Sequence, residues 1–214
     1  MSVLEQSENN GYNLFKSMAI TAEFHDRDIV EHIDRVSTYA QAIARGIGLE
    51  EETQRRIRIA SVLHDVGKSS IPREVLLKPG LLNEAERLFI EHHTREGFQI
   101  IRTIEDLLRD QTMLQLYYID EITFSMAKDI ALSHHECWNG TGYPEMRRGQ
   151  ETPIHARIVH LADVLDALLT KRVYKEAWML SEVMQEITQR KGTWFDPDLT
   201  RWVERHSEEL IKGS

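Results

Sequence analysis

The sequence predicts a single all-α domain, and three observations carry that prediction. Apolar residues recur at intervals of three and four along most of the 214-residue chain, which is the spacing of one helix face. The alternation of Val, Ile and Thr that is typical of β-strands is scarce. All five prolines fall between the helical segments, where a residue without a backbone N–H is tolerated.

Three helices are predicted in the N-terminal half. Apolar residues follow helical spacing over residues 29–47, and glycines mark the end of that helix. A second helix covers residues 57–64, with Gly67 just past its end, a position that favours glycine. A third helix begins after Asn83, a suitable N-cap, with Glu86 three residues further on.

The C-terminal half continues the helical pattern. A loop of about 15 residues follows His135, and a loop of that length in a compact domain is more often functional than not. No repeat, low-complexity stretch or linker interrupts the pattern. Helices are predicted over residues 121–135, 154–170, 181–190 and 198–211.

The charge balance restricts the kinds of partner. With 26 basic and 35 acidic side chains, the formal net charge is −9, which argues against binding to nucleic-acid polymers or to anionic membranes. A small anionic substrate stays compatible with this charge, because bound metal ions would reverse its sign locally.

The sequence favours a cytoplasmic location. Its single cysteine, Cys137, rules out an internal disulfide. No apolar run approaches the roughly 20 residues of a membrane span, and the N-terminus lacks a signal-peptide core. The residues ahead of the first predicted helix are too few for a sensory domain, so we expect regulation by a ligand, by expression level or by a protein partner. Whether the chain forms a homodimer stays open.

The strongest chemical signal lies in two histidine clusters. His134 and His135 are adjacent and lead into a glycine-rich loop that ends at Pro144, while His64 and Asp65 stand upstream. A buried imidazole needs partners for both ring nitrogens, so adjacent histidines are rarely core filler. Neutral imidazoles together with a carboxylate suit a divalent transition metal. The two clusters therefore predict a metal-dependent enzyme.

The ordered motifs around these clusters resemble those of the HD-GYP family, bacterial phosphodiesterases of the HD superfamily that hydrolyse cyclic di-GMP. The resemblance implies a helical HD-superfamily bundle with an inserted GYP loop. It divides the chain into an N-terminal extension, residues 1–22, and a catalytic domain, residues 23–214. The matching segments are HDxGK at residues 64–68, HTxxG at 93–97, HHExxDGxGYP at 134–144 with Asn139 in place of Asp, RIVxxADxxDAL and RxY between 157 and 174, and FDP at 195–197.

The resemblance also implies a centre of two divalent transition-metal ions, with iron or manganese favoured. Asp65 is implied as the carboxylate that bridges the two ions. The five imidazoles and two carboxylates of the implied centre are all present, which disfavours a non-catalytic domain. Besides Asp65, the implied ligands are His32, His64 and Asp163 for one ion and His93, His134 and His135 for the other.

A third ion is expected to be weak. Relatives with a third metal use a Glu four residues before the histidine that corresponds to His32, and this chain has Asp28 there. The aspartate side chain reaches about 1.5 Å less far, because it is one carbon–carbon bond shorter.

Four residues are candidates for contact with substrate. Lys68 is expected to act in catalysis as a point charge that binds a phosphate oxygen or stabilises the leaving group. Tyr143 is a candidate to stack on a base or to hydrogen-bond to a phosphate. Arg172 and Lys175 are candidates for the second phosphate or for guanine, with a purely structural role at a helix end nearly as favoured.

Taken with the resemblance, the sequence predicts a phosphodiesterase that converts cyclic di-GMP to linear pGpG, to GMP or to both, with a metal-bridging hydroxide as nucleophile. One alternative is an HD-superfamily phosphohydrolase that acts on another cyclic dinucleotide or on a nucleotide. The GYP-type loop disfavours a plain nucleotide as the substrate. The other alternative is a non-catalytic module that binds cyclic dinucleotides.

Overall fold

The computed structural model describes residues 3–23, 28–108, 119–170 and 177–212. Pairing of β type within these ranges is limited to two isolated bridges, so the predicted all-α class is confirmed. Two short 3-10 helices cover Val66–Ser70 and Gly149–Glu151. The α-helices of the described ranges are α1 (Val3–Ala22), α2 (Ile29–Gly46), α3 (Glu51–Ser61), α4 (Arg73–Leu76), α5 (Glu84–Leu108), α6 (Glu121–Ser133), α7 (Ile154–Leu169), α8 (Leu180–Gln189) and α9 (Pro197–Lys212).

The four helices predicted in the C-terminal half agree with α6 to α9 to within two residues at each end. The helix predicted over residues 57–64 is displaced, because α3 begins at Glu51 and ends at Ser61. Its first turns carry Glu, Gln and Arg rather than apolar residues, so the apolar periodicity starts later than the helix does. His64 consequently lies in the turn after α3.

Helix α1 was not predicted, although it contributes to the core. Tyr12, Phe15 and Ala19 are buried, and the ring of Phe15 lies 5.5 Å from that of Phe124 on α6, measured between centroids. The Tyr12 hydroxyl donates to Asp34 at 2.7 Å, which joins α1 to α2. The division between an extension and a catalytic domain at residue 22 stays a prediction.

The helices that carry the histidines pack against one another. α5 lies along α6, and α2 packs on α3 and on α7. Their buried apolar side chains form one core, and each large side chain contributes roughly 1.5–3 kcal/mol on burial. None of the described helices combines the length and the apolar character that a membrane crossing needs. The core therefore fixes the positions of α2, α5, α6 and α7, on which the functional site depends.

The long loop after α6 is folded back on the end of that helix. The buried Glu136 carboxylate accepts the backbone N–H groups of Glu145 at 2.7 Å and Arg147 at 3.1 Å. The Tyr143 N–H donates to the carbonyl of His135 at 3.2 Å. Gly142 is required at this approach, because a Cβ there would lie 2.3 Å from the same carbonyl oxygen.

Candidate metal centre

Five imidazoles from four segments of the chain converge on one side of the core. His32 lies on α2 and His93 on α5, whereas His64 follows α3, and His134 and His135 follow α6. Within each of two groups, the potential ligand atoms all lie within 4.8 Å of one another. The groups are Asp65 with His93, His134 and His135, and His32 with His64 and Asp163.

Asp65 stands between the two groups. Its Oδ1 atom lies 3.3 Å from Nε2 of His93 and 3.6 Å from Nε2 of His134. Its Oδ2 atom lies 3.2 Å from Nε2 of His64, in the other group. The residue is only 3% exposed. One carboxylate thus presents one oxygen to each group, as the expected bridging role requires.

Backbone carbonyls orient three of the histidine rings. Nδ1 of His64 donates to the carbonyl three residues earlier at 2.9 Å, and Nδ1 of His134 donates to the carbonyl four residues earlier at 2.9 Å. Nδ1 of His93 makes the equivalent bond to the carbonyl of Ile90. A carbonyl oxygen can only accept, so Nδ1 carries the proton in each ring and Nε2 presents a lone pair.

Those lone pairs identify what the site can hold. Nε2 of His64, His93 and His134 and Oδ1 of Asp65 are buried and have no hydrogen-bond partner in the protein. Leaving such atoms unsatisfied costs about 1–3 kcal/mol each. Imidazole nitrogens and carboxylate oxygens at this density fit divalent transition-metal ions, which would satisfy all four atoms.

A carboxylate orients the fourth ring. Nδ1 of His32 donates to Oδ2 of Asp166 at 2.7 Å, and Nε2 faces Oδ1 of Asp163 at 3.6 Å. Asp166 also accepts from Nε of Arg35 at 2.5 Å. Burial alone would raise the pKa of Asp166, but the bonds to His32 and Arg35 hold that pKa below its ordinary value. Asp166 was not among the predicted site residues, although it belongs to the same motif as Asp163.

An aromatic ring covers His135. The rings of His135 and Tyr143 are stacked, with centroids 4.8 Å apart and an interplanar angle of 29°. Burial, reinforced by the neighbouring His134 and His93, lowers the pKa of His135 well below its ordinary value. The imidazole is therefore neutral at pH 7, which is the state that ligates metals. Tyr143, predicted as a substrate contact, lies at the edge of the centre and packs on one of its candidate ligands.

Lys68 lies beside the shared carboxylate. Its Nζ atom donates to Oδ2 of Asp65 and lies 3.7 Å from the carboxylate of Glu23. Burial would lower the pKa of Lys68, but Asp65 and Glu23 outweigh it and raise that pKa. Burial would likewise raise the pKa of Asp65, but Lys68 and His64 hold it well below its ordinary value. Glu23 is 3% exposed and was missed in the sequence, because no motif surrounds it.

Comparison with known proteins decides the family. The family model described as HD domain matches residues 16–199 of the chain. The chain belongs to the HD domain family. The resemblance predicted from the motifs is confirmed at this level, and the match includes every residue of the two ligand groups.

Curated relatives of this HD domain are phosphodiesterases by name. The 3'3'-cGAMP-specific phosphodiesterase 2 of Vibrio cholerae is 36% identical over 207 residues, which are 97% of this chain and 36% of that protein. The cyclic di-GMP phosphodiesterase response regulator RpfG of Xanthomonas campestris is 34% identical over 197 residues, which are 92% of this chain and 48% of that protein. The chain thus spans between about a third and a half of the length of these relatives.

A solved structure shares the fold. The crystal structure of a cyclic GMP-AMP-specific phosphodiesterase of V. cholerae, V-cGAP3, matches with a TM-score of 0.58 and 24% identity. The match covers 97% of this chain and 50% of that one. It supports the helical arrangement of the HD domain described above.

One glycine of the HD domain lets the 3-10 helix lie against α5. Gly67 follows Asp65 by two residues, and a Cβ on it would lie 2.0 Å from the carbonyl oxygen of His93 and 2.5 Å from the backbone nitrogen of Gly97. Only a residue without a side chain lets the 3-10 helix approach α5 this closely. The approach places Asp65 beside His93.

Among the remaining predicted site residues, Asp28 is described by the structure and belongs to neither group. Asp28 is exposed at the start of α2. Arg172 and Lys175 lie outside the described residues, so their predicted substrate contacts stay predictions. His92, the off-motif neighbour of His93, points to Glu96 at 3.0 Å and is 58% exposed.

Proposed function

We propose that this HD domain is a metal-dependent phosphodiesterase that hydrolyses cyclic di-GMP. The observation that carries the proposal is the pair of ligand groups sharing one carboxylate, Asp65. Paired metal ions at such a centre activate a nucleophile at neutral pH and offset the charge that develops on the phosphoryl oxygens. The names of the relatives support the substrate class, a cyclic dinucleotide.

The proposed ligands are the residues of the two groups. His32, His64 and Asp163 would hold one ion, and His93, His134 and His135 the other, with Asp65 shared between them. Five imidazoles and two carboxylates suit Fe, Mn, Co, Ni or Zn, and we propose iron or manganese because the resemblance to the HD-GYP family implies them. Asp28 is not expected to hold a third ion tightly, since it lies outside both groups.

The chain's own residues supply charge and shape around the reacting phosphate. The Lys68 ammonium is adjacent to Asp65, and we propose that it stabilises the leaving oxygen or a phosphate oxygen. Tyr143 stacks on the His135 ring, and we propose that it also contacts a base of the substrate. Arg172 and Lys175 are proposed to bind the second phosphate or guanine.

A second cyclic dinucleotide is a specific competitor for the role of substrate. The V. cholerae relative that matches 97% of this chain is named for 3'3'-cGAMP rather than for cyclic di-GMP. The two molecules differ in one base, so the phosphodiester chemistry proposed here serves both. A cytoplasmic site of action fits the single cysteine, Cys137, which no internal disulfide can use.

The test is a parallel assay of both substrates. Protein purified without oxygen and loaded separately with Fe²⁺ or Mn²⁺ is incubated with cyclic di-GMP and with 3'3'-cGAMP, and the products are identified by mass. We expect a linear dinucleotide or mononucleotides from cyclic di-GMP, with a larger kcat/KM than for 3'3'-cGAMP. A larger kcat/KM for 3'3'-cGAMP than for cyclic di-GMP would make 3'3'-cGAMP the substrate instead. Binding of either without turnover, at full metal content, would contradict the enzymatic function.

A further inference from the structure

Helix α7 presents three polar side chains toward the metal centre. His160, Asp163 and Asp166 are spaced three residues apart, so they follow one another along one side of the helix. Asp163 belongs to one ligand group. The other two hold no ligand position themselves, yet each is hydrogen-bonded to a residue that does.

Asp166 is bonded to the ring of a candidate ligand. Its Oδ2 atom accepts from Nδ1 of His32 at 2.7 Å, which turns Nε2 of that ring toward Asp163 and His64. The Asp166 side chain is 1% exposed, and Arg35 offsets its charge. His64, His93 and His134 donate instead to neutral carbonyls, so His32 has a charged support that these three rings lack.

His160 is bonded to the backbone of the other group. Its Nδ1 atom donates to the carbonyl oxygen of His134 at 2.7 Å. The carbonyls at the end of a helix have no partner within the helix, so this bond fixes the end of α6 from which His134 and His135 project. His160 is 7% exposed, so this bond lies in the protein interior.

We propose that Asp166 and His160 are positioning residues that act on different ions. Asp166 orients His32 for the ion held with His64 and Asp163. His160 fixes His134 and His135 for the ion held with His93 and Asp65. The inference rests on the proposed two-metal centre, and it adds that α7 supports the two halves of that centre through separate hydrogen bonds.

Each variant is chosen to alter one of the two supports. Asp166→Asn removes the charge behind His32, and His160→Leu removes the donor to the His134 carbonyl. His160→Asn is the rescue variant, because its amide nitrogen takes nearly the place of Nδ1. Asp129→Asn is the matched control, since Asp129 bonds His155 at 3.1 Å between α6 and α7 but touches neither ligand group.

The readout is Mn²⁺ binding by each variant. Titration followed by electron paramagnetic resonance gives the affinities, and anomalous diffraction from Mn²⁺-loaded crystals gives the occupancy of each position. We expect Asp166→Asn to weaken the ion at His32 by about 10–100-fold, the usual effect of losing a support of this kind. We expect His160→Leu to weaken the ion at His135 on a similar scale, and His160→Asn and Asp129→Asn to retain both ions.

Thermal melting of the metal-free proteins separates positioning from folding. His160→Leu removes the unsatisfied Nε2 atom but leaves the His134 carbonyl without its donor, so we expect it to melt slightly lower than the parent protein, whereas His160→Asn keeps the donor and should melt with the parent. Metal affinities are therefore compared at a temperature at which every variant is fully folded. If Asp166→Asn fails to fold because Arg35 loses its carboxylate, Asp166→Asn combined with Arg35→Gln removes both charges and tests the same bond.

The possible outcomes distinguish this inference from the proposed function. A parent protein that binds fewer than two ions would contradict the metal centre itself. A parent protein that binds two ions while both variants keep unchanged affinities would contradict only the inference. Equal loss at both positions in either variant would also overturn it, because separate supports predict separate losses.

Discussion

At the scale of single residues, the centre depends on which atom of each side chain faces inward. Nδ1 of each of four rings is bonded to a carbonyl or a carboxylate, so Nε2 is left to face the ion site. Spacing in the sequence identifies histidines, but it does not choose between their two nitrogens. That choice is made by the bonds behind the rings, which in metal sites commonly govern affinity.

Removing the shared carboxylate is expected to empty both positions. In Asp65→Ala, neither group keeps the oxygen that Asp65 directs to it, so metal content and hydrolysis should both be lost. Metal analysis of the purified variant measures this directly. Asp129→Ala serves as a control for loss of an aspartate outside the centre. Full activity with normal metal content in Asp65→Ala would contradict the bridging role.

Removing the Lys68 ammonium is expected to slow turnover while leaving the ions bound. The residue contacts Asp65 but contributes no ligand atom to either group. Loss of a preorganised charge at a reacting phosphate lowers kcat by roughly 10²-fold. Turnover at saturating substrate and metal content are measured on the same Lys68→Ala preparation. A collapse of metal content would instead assign Lys68 a structural role.

Because position 28 carries an aspartate, the centre is expected to bind two ions tightly and no third ion. Asp28 lies exposed at the start of α2, and metal–oxygen bonds of about 2.0–2.2 Å leave little tolerance for its short side chain. A crystal structure of the fully loaded protein counts the ions. Three well-occupied ions, one of them ligated by Asp28, would mean that the start of α2 shifts inward to compensate.

At the scale of elements, the centre depends on how closely neighbouring segments approach. The 3-10 helix that follows Asp65 touches the backbone of α5 at Gly67, and α7 supports both α2 and α6 through hydrogen bonds. The separation of the two ligand groups therefore depends on these contacts between elements.

Substituting Gly67 is expected to force the 3-10 helix away from α5. The Cβ of Gly67→Ala would overlap the His93 carbonyl, which is backbone and cannot rotate away. We expect a loss of about 1–3 kcal/mol in the free energy of unfolding, as for other overpacked sites, together with weaker metal binding. Gly97→Ala is the comparison variant and is expected to lose less stability. Its Cβ would lie 3.2 Å from a side-chain methyl of Ala131, which is a milder overlap. Denaturant melts of equal stability for both variants would refute the close-approach argument.

At the scale of the whole molecule, the ligands join distant parts of one chain. They extend from His32 to Asp163 and come from helices that meet only in the folded state. Ions bound to such a centre stabilise the folded protein, because the unfolded chain offers no equivalent site.

Removing the metal is therefore expected to lower the melting temperature. At a free-ion concentration 100 times Kd, each ion contributes about 2.7 kcal/mol, which for a protein of this size corresponds to roughly 5–10 °C per ion. Calorimetry of loaded and chelated protein measures the difference. Asp65→Ala is the control, since chelation should not change its melting temperature. An unchanged melting temperature of the parent protein would argue that the ions are bound weakly or not at all.

The sequence by itself determined the helical class, because apolar spacing and the positions of the prolines are local signals. The resemblance to the HD-GYP family also named every residue that the structure brings into the two ligand groups. The sequence did not reveal α1, whose contribution to the core depends on contact with α6, nor the roles of Glu23, His160 and Asp166. Those roles were decided by tertiary structure alone. A carboxylate or an imidazole becomes a support only when another segment places a partner within about 3 Å, and spacing along the chain does not encode that distance.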